Sequence, residues 1–345
     1  MSSSDAEAPR RFVKGLLSSA MMAAVIIAAI NFAADPYEYW RGATTKFCEP
    51  MAGRGVEAQL KPSIPAIRDA NVVYIGSSRV LHGFDRETLQ EGHRDIRPAN
   101  LGSPAPDLQA FLTLAYATLD APSVERIALG LDFGMFYRGA GDGGARSSLN
   151  PAFKRLKTVL ATLVSLHVTA ASLQIIQHGS RCFPANMTAD GFDSPALRQR
   201  LDAEPDYAEK DPRRTLALIL PKLGSSPQEI QATLLTSDFA VLSRFMERAI
   251  ARHVSVEIFI SPSRPDYFES LERSNLRHVY GAWQTSLAEW AKQASGKPVF
   301  ADFTGMYSNA STNELAAAFY DPVHFKPAVG ARIVEHMARL RAVRP

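Results

Sequence analysis

The sequence predicts an α/β protein: a mostly parallel β-sheet with helices on both faces, three layers in all, preceded by one transmembrane helix. Short, largely apolar runs at Val72-Val73-Tyr74-Ile75, Val124–Leu131 and Val254–Ile260 have the pattern of strands buried on both faces. Segments of helical period lie between and after them, and strand alternating with helix is the order that builds a parallel sheet. Near the N-terminus, about 20 residues from Gly15 to Ala34 carry no charge, which is the length of a bilayer core.

That apolar run sets the address. Residues 1–14 are mostly polar, with Arg10, Arg11 and Lys14 just before the run. Positive charge on the N-terminal side keeps that side in the cytoplasm and sends the remainder out. Residues 15–34 therefore read as an uncleaved membrane anchor, with the domain exported. A cleaved signal peptide is the competing reading, with Ala33-Ala34-Asp35 as its cleavage site. Tyr37, Tyr39 and Trp40 suit a membrane interface. Residues 35–69, with Pro50, Pro62 and Pro65, form a stalk or lead-in. Cys48 and Cys182 either form one disulfide, as export permits, or remain two thiols.

Composition narrows the class. A chain of 345 residues, 46% hydrophobic and 21% charged, is long enough for one large domain over residues 70–345. A formal charge of +3 without a basic stripe or nucleic-acid module argues against nucleic acid. No metal-ligand spacing, phosphate loop or dinucleotide fingerprint is present, so no cofactor is expected.

The elements follow in order. A first strand ends at Ile75, and Asp85 caps a short helix over residues 84–89. A second strand ends at Asn100, and Asp107 opens an apolar helix. The third strand ends at Leu131. From about 137 to 228 the pattern changes to a helical insertion, either a wall or lid of the site or plain decoration. It begins with the glycine-rich 139–144, is helical over 152–177, and is charged and exposed over 198–214. A helix over Gln228–Arg252 then leads to the fourth strand. That strand exits at Arg264, which either binds an anionic group or is solvated. A helix over Tyr267–Ala294, a fifth strand at Pro298–Phe303 and a closing helix from Pro327 to Arg341 complete the chain.

Chemistry gathers at the strand exits, where open α/β sheets bind ligands. Gly76-Ser77-Ser78-Arg79 presents two serines after a tight turn. Tyr320-Asp321-Pro322-Val323-His324 places a carboxylate within reach of one imidazole nitrogen and leaves the other free for a nucleophile. Taken alone, that second motif also reads as an ordinary helix start capped by Asp321. His82, four residues beyond Ser78, is expected to leave the cleft.

Together these motifs resemble the SGNH hydrolase superfamily, the GDSL-like esterases and acyltransferases, in order and spacing over residues 70–340. Gly76-Ser77-Ser78 stands at the family's Gly-Asp-Ser block, with Ser77 replacing the Asp. Asn100-Leu101-Gly102 resembles the second block, and Gly130-Leu131-Asp132 stands where the third has Gly-x-Asn-Asp, so its oxyanion Asn is missing. Asp321-x-x-His324 matches the last block. The resemblance implies an SGNH-like sandwich with Ser78 as nucleophile, His324 as general base and Asp321 as its orienting partner. The N–H groups of Ser78 and Gly102 would form the oxyanion hole. Ser77 is the rival nucleophile. Asp132 would donate only if protonated, and otherwise anchors a loop with Arg79 offsetting its charge.

The branch it looks closest to is the membrane-anchored one acting around cell-envelope polymers, such as the DltD and alginate-acetylation proteins. This implies an esterase or O-acyltransferase working on acyl esters of an envelope or exported polysaccharide, with a membrane-bound O-acyltransferase as a possible partner. The alternative is an inactive glycan-binding or scaffold protein on the same fold.

Overall fold

A computed structural model describes residues 7–34, 67, 69–91, 95–103, 108–138, 163–178, 188, 190–203 and 238–343. The stalk through residue 66, both cysteines, the glycine-rich 139–144, residues 204–214 and the start of the helix expected from Gln228 lie outside the described residues. In chain order the elements are α1 (Glu7–Ala34), β1 (Val72–Ile75), α2 (Ser78–Gly83), α3 (Arg86–Gln90), β2 (Pro98–Asn100), α4 (Leu108–Thr118), β3 (Arg126–Leu131) and α5 (Phe133–Arg138). Then come α6 (Leu166–His178), α7 (Pro195–Ala203), α8 (Asp238–Ala251), β4 (Ser255–Ile260), α9 (Pro265–Arg273), α10 (Arg277–Gln293), β5 (Val299–Asp302), α11 (Thr312–Ala318) and α12 (Pro327–Ala342).

The chain forms two compact units. One comprises Met1–Gly53 with Arg146–Ala185, the other Arg54–Ala145 with Asn186–Pro345. The stretch expected as one insertion is thus divided: α6 belongs with α1, and α7 belongs with the sheet. In the first unit, α1 contains an apolar segment, Phe12–Ala34, long enough to cross a membrane. It extends the expected span by three residues at its N-terminal end.

In the second unit the five strands are all parallel, in the order β2-β1-β3-β4-β5. Strand residues alternate between two apolar cores, as the pleat requires. Val73, Ile75, Ile127, Leu129, Ile258 and Ile260 face one core, shared with α4, α8, α9 and α10. Val72, Tyr74, Ala128 and Phe259 face the other, shared with α2, α3, α11 and α12. Burial on both faces is why β1 reads as an unbroken apolar run.

Local signals place the helix starts. Asp85 caps α3, accepting from the Thr88 N–H at 2.6 Å, as the sequence led us to expect. Ser311 and Glu314 form a capping box at α11. The single helix expected over Tyr267–Ala294 is instead α9 and α10. They are separated at Asn275, whose φ of 55° is left-handed, a conformation asparagine tolerates and a helix cannot continue through. Helix α5, which the sequence reading did not anticipate, turns Phe133 and Phe136 onto Trp283 at ring distances of 5.7 and 5.5 Å.

Trp283 is therefore a test of the larger core. Trp283→Ala is expected to cost about 3–5 kcal/mol, read as a lower urea midpoint of the full chain in detergent. An unchanged midpoint would contradict its place there.

Candidate active site

The strand order decides where a site can form. β1 is followed by β2 on one side, and the chain then crosses back to place β3 on the other. The carboxyl ends of β1 and β3 thus flank the topological switch point, where ligands bind in open α/β sheets. Gly76, Ser77 and Ser78 leave β1 there, and Asp132 leaves β3. Gly76 is needed for the turn into α2, since a Cβ on it would stand 2.1 Å from Val80 Cγ2. Ser77 is the cap of α2, its Oγ accepting from the Arg79 N–H at 3.1 Å. Ser78 is the first residue of that helix.

The second half arrives from residues 319–325. A bridge between Phe319 and Phe325 closes this loop, and the Tyr320 N–H donates to the His324 carbonyl at 2.8 Å. The Arg264 N–H at the exit of β4 donates to the Pro322 carbonyl at 3.0 Å. Inside the loop, buried Asp321 accepts from the N–H groups of Val323 and His324 through Oδ1, at 2.9 and 2.8 Å. Its Oδ2 lies 2.6 Å from His324 Nδ1, and His324 Nε2 lies 2.7 Å from Ser78 Oγ. The helix-start reading of this motif does not describe it, because α12 begins later, with Lys326 at its cap.

The protons follow from the acceptors. Burial pushes the Asp321 carboxyl up, but the His324 imidazole beside it, its hydrogen bond and the two backbone N–H groups outweigh that and hold it below the usual carboxylate range. An ionised carboxylate only accepts, so Nδ1 carries a proton toward it, and in the neutral tautomer Nε2 is then the acceptor for the Ser78 hydroxyl. A serine, an imidazole and an orienting carboxylate stand in the arrangement that activates a hydroxyl for attack.

Ser77 points elsewhere. Its Oγ donates to Asp132 Oδ2, and Asp132 Oδ1 is 3.4 Å from Arg79 Nη1. Neighbouring serines thus have separate partners, one on His324 and one on Asp132. Arg79 is buried, donates to Ser263 Oγ at 2.9 Å and has its guanidinium 5.2 Å from the Tyr267 ring centre. Burial pushes the Arg79 pKa down, but the Asp132 carboxylate, Tyr267, Tyr280 and Asp321 together outweigh it and raise it above the ordinary guanidinium value. Asp132 serves here as an acceptor joining the ends of β1 and β3 around a buried cation.

The second block holds a different surprise. The Gly102 N–H, expected at the oxyanion, donates to Asn100 Oδ1 at 2.8 Å. Asn100 is fully buried, and its Nδ2 donates to the carbonyls of Val80 and Leu81 at 3.0 and 3.3 Å. One carboxamide thereby ties the last turn of α2 to the loop after β2. Gly102 is required for that approach, since a Cβ would stand 2.3 Å from the Leu81 nitrogen. Sequence reasoning quoted Asn100 without giving it this positioning role. Its signal was an asparagine at a strand exit, in a run otherwise buried.

His82 corrects an expectation. Residues four apart on a helix share a face, so His82 stays in the cleft one turn beyond Ser78. Its ring centre is 5.6 Å from that of His324, edge to face. His82 Nδ1 lies 2.8 Å from Asp193 Oδ2, a residue that no sequence signal singled out. The segment bearing Asp193 is held to α2 and α3 by two more contacts, Arg86 Nε to Asp190 at 2.8 Å and Arg198 Nη2 to the Phe84 carbonyl at 2.6 Å. Residues 190–203 thus line the helix that carries Ser78. The partly exposed Arg264 pairs its guanidinium with Asp266 at 3.2 Å. Among the described residues, no group of three or more His, Cys, Asp or Glu side chains is placed to hold a metal ion.

No protein-family model matches the chain, and no curated protein matches it.

The depressed Asp321 pKa has a pH signature. The unfolded chain takes up the proton first as pH falls, so the stabilisation from Asp321 is complete above about pH 4. It is lost as pH falls further, through the lower folded value. The thermal-stability advantage of wild type over Asp321→Asn is expected to be largest at neutral pH and to shrink below about pH 4. An advantage independent of pH would contradict an ionised Asp321 in the folded chain.

Proposed function

We propose that the chain is a serine esterase or O-acyltransferase of the SGNH type. It acts on acyl esters, acetyl foremost, of a cell-envelope or exported polysaccharide. The observation that carries this reading is the unbroken relay from Ser78 Oγ through His324 to Asp321, with contacts of 2.7 and 2.6 Å. Ser78 Oγ attacks the ester carbonyl carbon as its proton passes to His324 Nε2, and the Ser78 N–H faces the developing oxyanion. The tetrahedral adduct collapses, the imidazolium protonates the departing alcohol oxygen, and an acyl-serine remains. Water or a sugar hydroxyl then attacks that acyl group, giving its proton to Nε2, and as the C–Oγ bond breaks the imidazolium returns that proton to Ser78 Oγ.

The two departures from the family's blocks are coupled. The chain has Ser77 where the family has Asp and Asp132 near where it has Asn, and these two side chains bond to each other. The pairing retains one carboxylate across the strand exits and places it on β3 in place of β1. The substrate class is argued from the address: α1 is long and apolar enough to anchor the chain, and the positive charge before it supports an N-terminus in the cytoplasm and a domain in the periplasm. A membrane-bound O-acyltransferase would be the natural acyl donor if the acyl-serine is resolved by a sugar hydroxyl.

One observation favours a second reading, a non-catalytic glycan-binding or scaffold protein on the same fold. The Gly102 N–H is bonded to Asn100, so this amide must exchange that partner before it can serve an oxyanion.

A fluorophosphonate ester, read by intact mass on the full chain in detergent, separates the two. Labelling is expected in wild type and Ser77→Ala, is expected to be absent in Ser78→Ala, and should fall about 10³–10⁴-fold in rate in Asp321→Asn. A folded wild type that takes no label would favour the scaffold reading.

A further inference from the structure

Asn31 is a buried polar residue in an apolar helix. It is only 1% exposed. Its Nδ2 is within 2.8 Å of the Leu163 carbonyl, 3.3 Å of the Ser165 carbonyl and 3.0 Å of Thr169 Oγ1. Its Oδ1 accepts from Ser172 Oγ at 3.0 Å. Both ends of the carboxamide are therefore spent on α6 and the turn leading into it. The polar groups of the pair meet inside, at the end of α1 that leaves the apolar span.

The outward faces are largely apolar, with Gln177 near the end of α6 and Ser18 and Ser19 of α1 also exposed. Leu166, Leu173 and Ile176 of α6 are 75%, 43% and 60% exposed, and Met22, Val25, Ile26 and Phe32 of α1 are exposed as well. A helix pair in water turns its apolar stripe inward and its polar face out. Polar side chains meeting between helices whose outer faces are apolar is the pattern of hydrocarbon solvent. The sequence around α6 agrees, since no Asp, Glu, Lys or Arg occurs between Lys157 and Arg181.

The helix nevertheless does not span. Thirteen residues reach about 20 Å, short of a core of about 30 Å. The chain before this stretch forms β3 and the chain after it forms β4, and those strands pair in parallel register. Both flanks must emerge on the same side of a membrane, which excludes a single crossing.

We propose that α6 is a second membrane element, a helix dipped into the outer leaflet beside the anchor, with Leu166, Leu173 and Ile176 against lipid acyl chains. The proposal rests on reading α1 as an uncleaved span. It also bears on that reading, because cleavage after Ala34 would remove Asn31 and expose the inner face of α6 at Val168 and Ser172. Helix α6 then gives the protein a second hold on the bilayer.

Full-length chains carrying Ile26→Trp, Leu173→Trp or Ile176→Trp, reconstituted in nanodiscs of acyl-brominated phosphatidylcholine, test this. Emission added by each new tryptophan over the wild-type background is compared with that in unbrominated lipid. Quenching at Leu173→Trp and Ile176→Trp, comparable to that at Ile26→Trp, is expected. Quenching at Ile26→Trp alone overturns the proposal and leaves the anchor standing. No quenching at Ile26→Trp overturns the anchor reading and this one with it. Independently, Asn31→Leu is expected to speed amide exchange of residues 163–178 several-fold in ordinary nanodiscs while residues 255–260 stay unchanged. Unchanged exchange at 163–178 would show that Asn31 does not hold α6.

Discussion

The hydrogen bond from Ser78 to His324 joins residues 246 positions apart, and much of the sheet unit serves to place its two ends. One end is set by β1, whose exit is narrowed at Gly76 and turned into a capped helix. The other is set by a loop closed across Phe319 and Phe325 and tied to β4 through Pro322. A donor–acceptor distance near 2.7 Å tolerates little error at either end. Positions that rigid require strands, because loops alone drift. The parallel order around β1 brings the strand exits to one edge and makes the pairing geometrically available.

Around that bond, polar groups are shared out with little overlap. Ser77 goes to Asp132, Ser78 to His324, Asn100 to α2 and Gly102, and His82 to Asp193. The first of these joins the exits of β1 and β3 through one carboxylate. A carboxylate buried near a strand exit needs donors or a cation, and Asp132 has Ser77 and Arg79. In the proposed reaction, the His82–Asp193 pair would form the wall beside the imidazole that transfers protons, so the segment bearing Asp193 belongs to the site more than to any distant appendage.

The first unit follows a different solvent logic. There, asparagine, threonine and serine meet inside and leucine and isoleucine face out, while in the sheet unit Leu129, Ile258 and Trp283 are inside. One chain thus applies opposite burial rules in two places, as expected if one part is solvated by lipid and the other by water.

Much of this was legible in the residues taken alone. Five strands, the apolar N-terminal helix, the helix cap at Asp85 and the candidate relay of Ser78, Asp321 and His324 each rest on local signals: an apolar run, a charge-free span, a capping side chain, a motif of short spacing. Sequence also led us to expect a Gly102 amide free for an oxyanion, His82 outside the cleft and one continuous insertion. Those concern partners and directions, which local pattern does not encode. Asn100 captures Gly102 because the turn after β2 folds back against α2. His82 remains in the cleft because Ser78 begins a helix where a loop was expected. Asp193 and Asn31 acquire their partners from segments 111 and more than 130 residues away in sequence. Periodicity and composition are properties of neighbours along the chain, so they specified the elements; the hydrogen bonds of the site join residues far apart in the chain, so only folding could assign them.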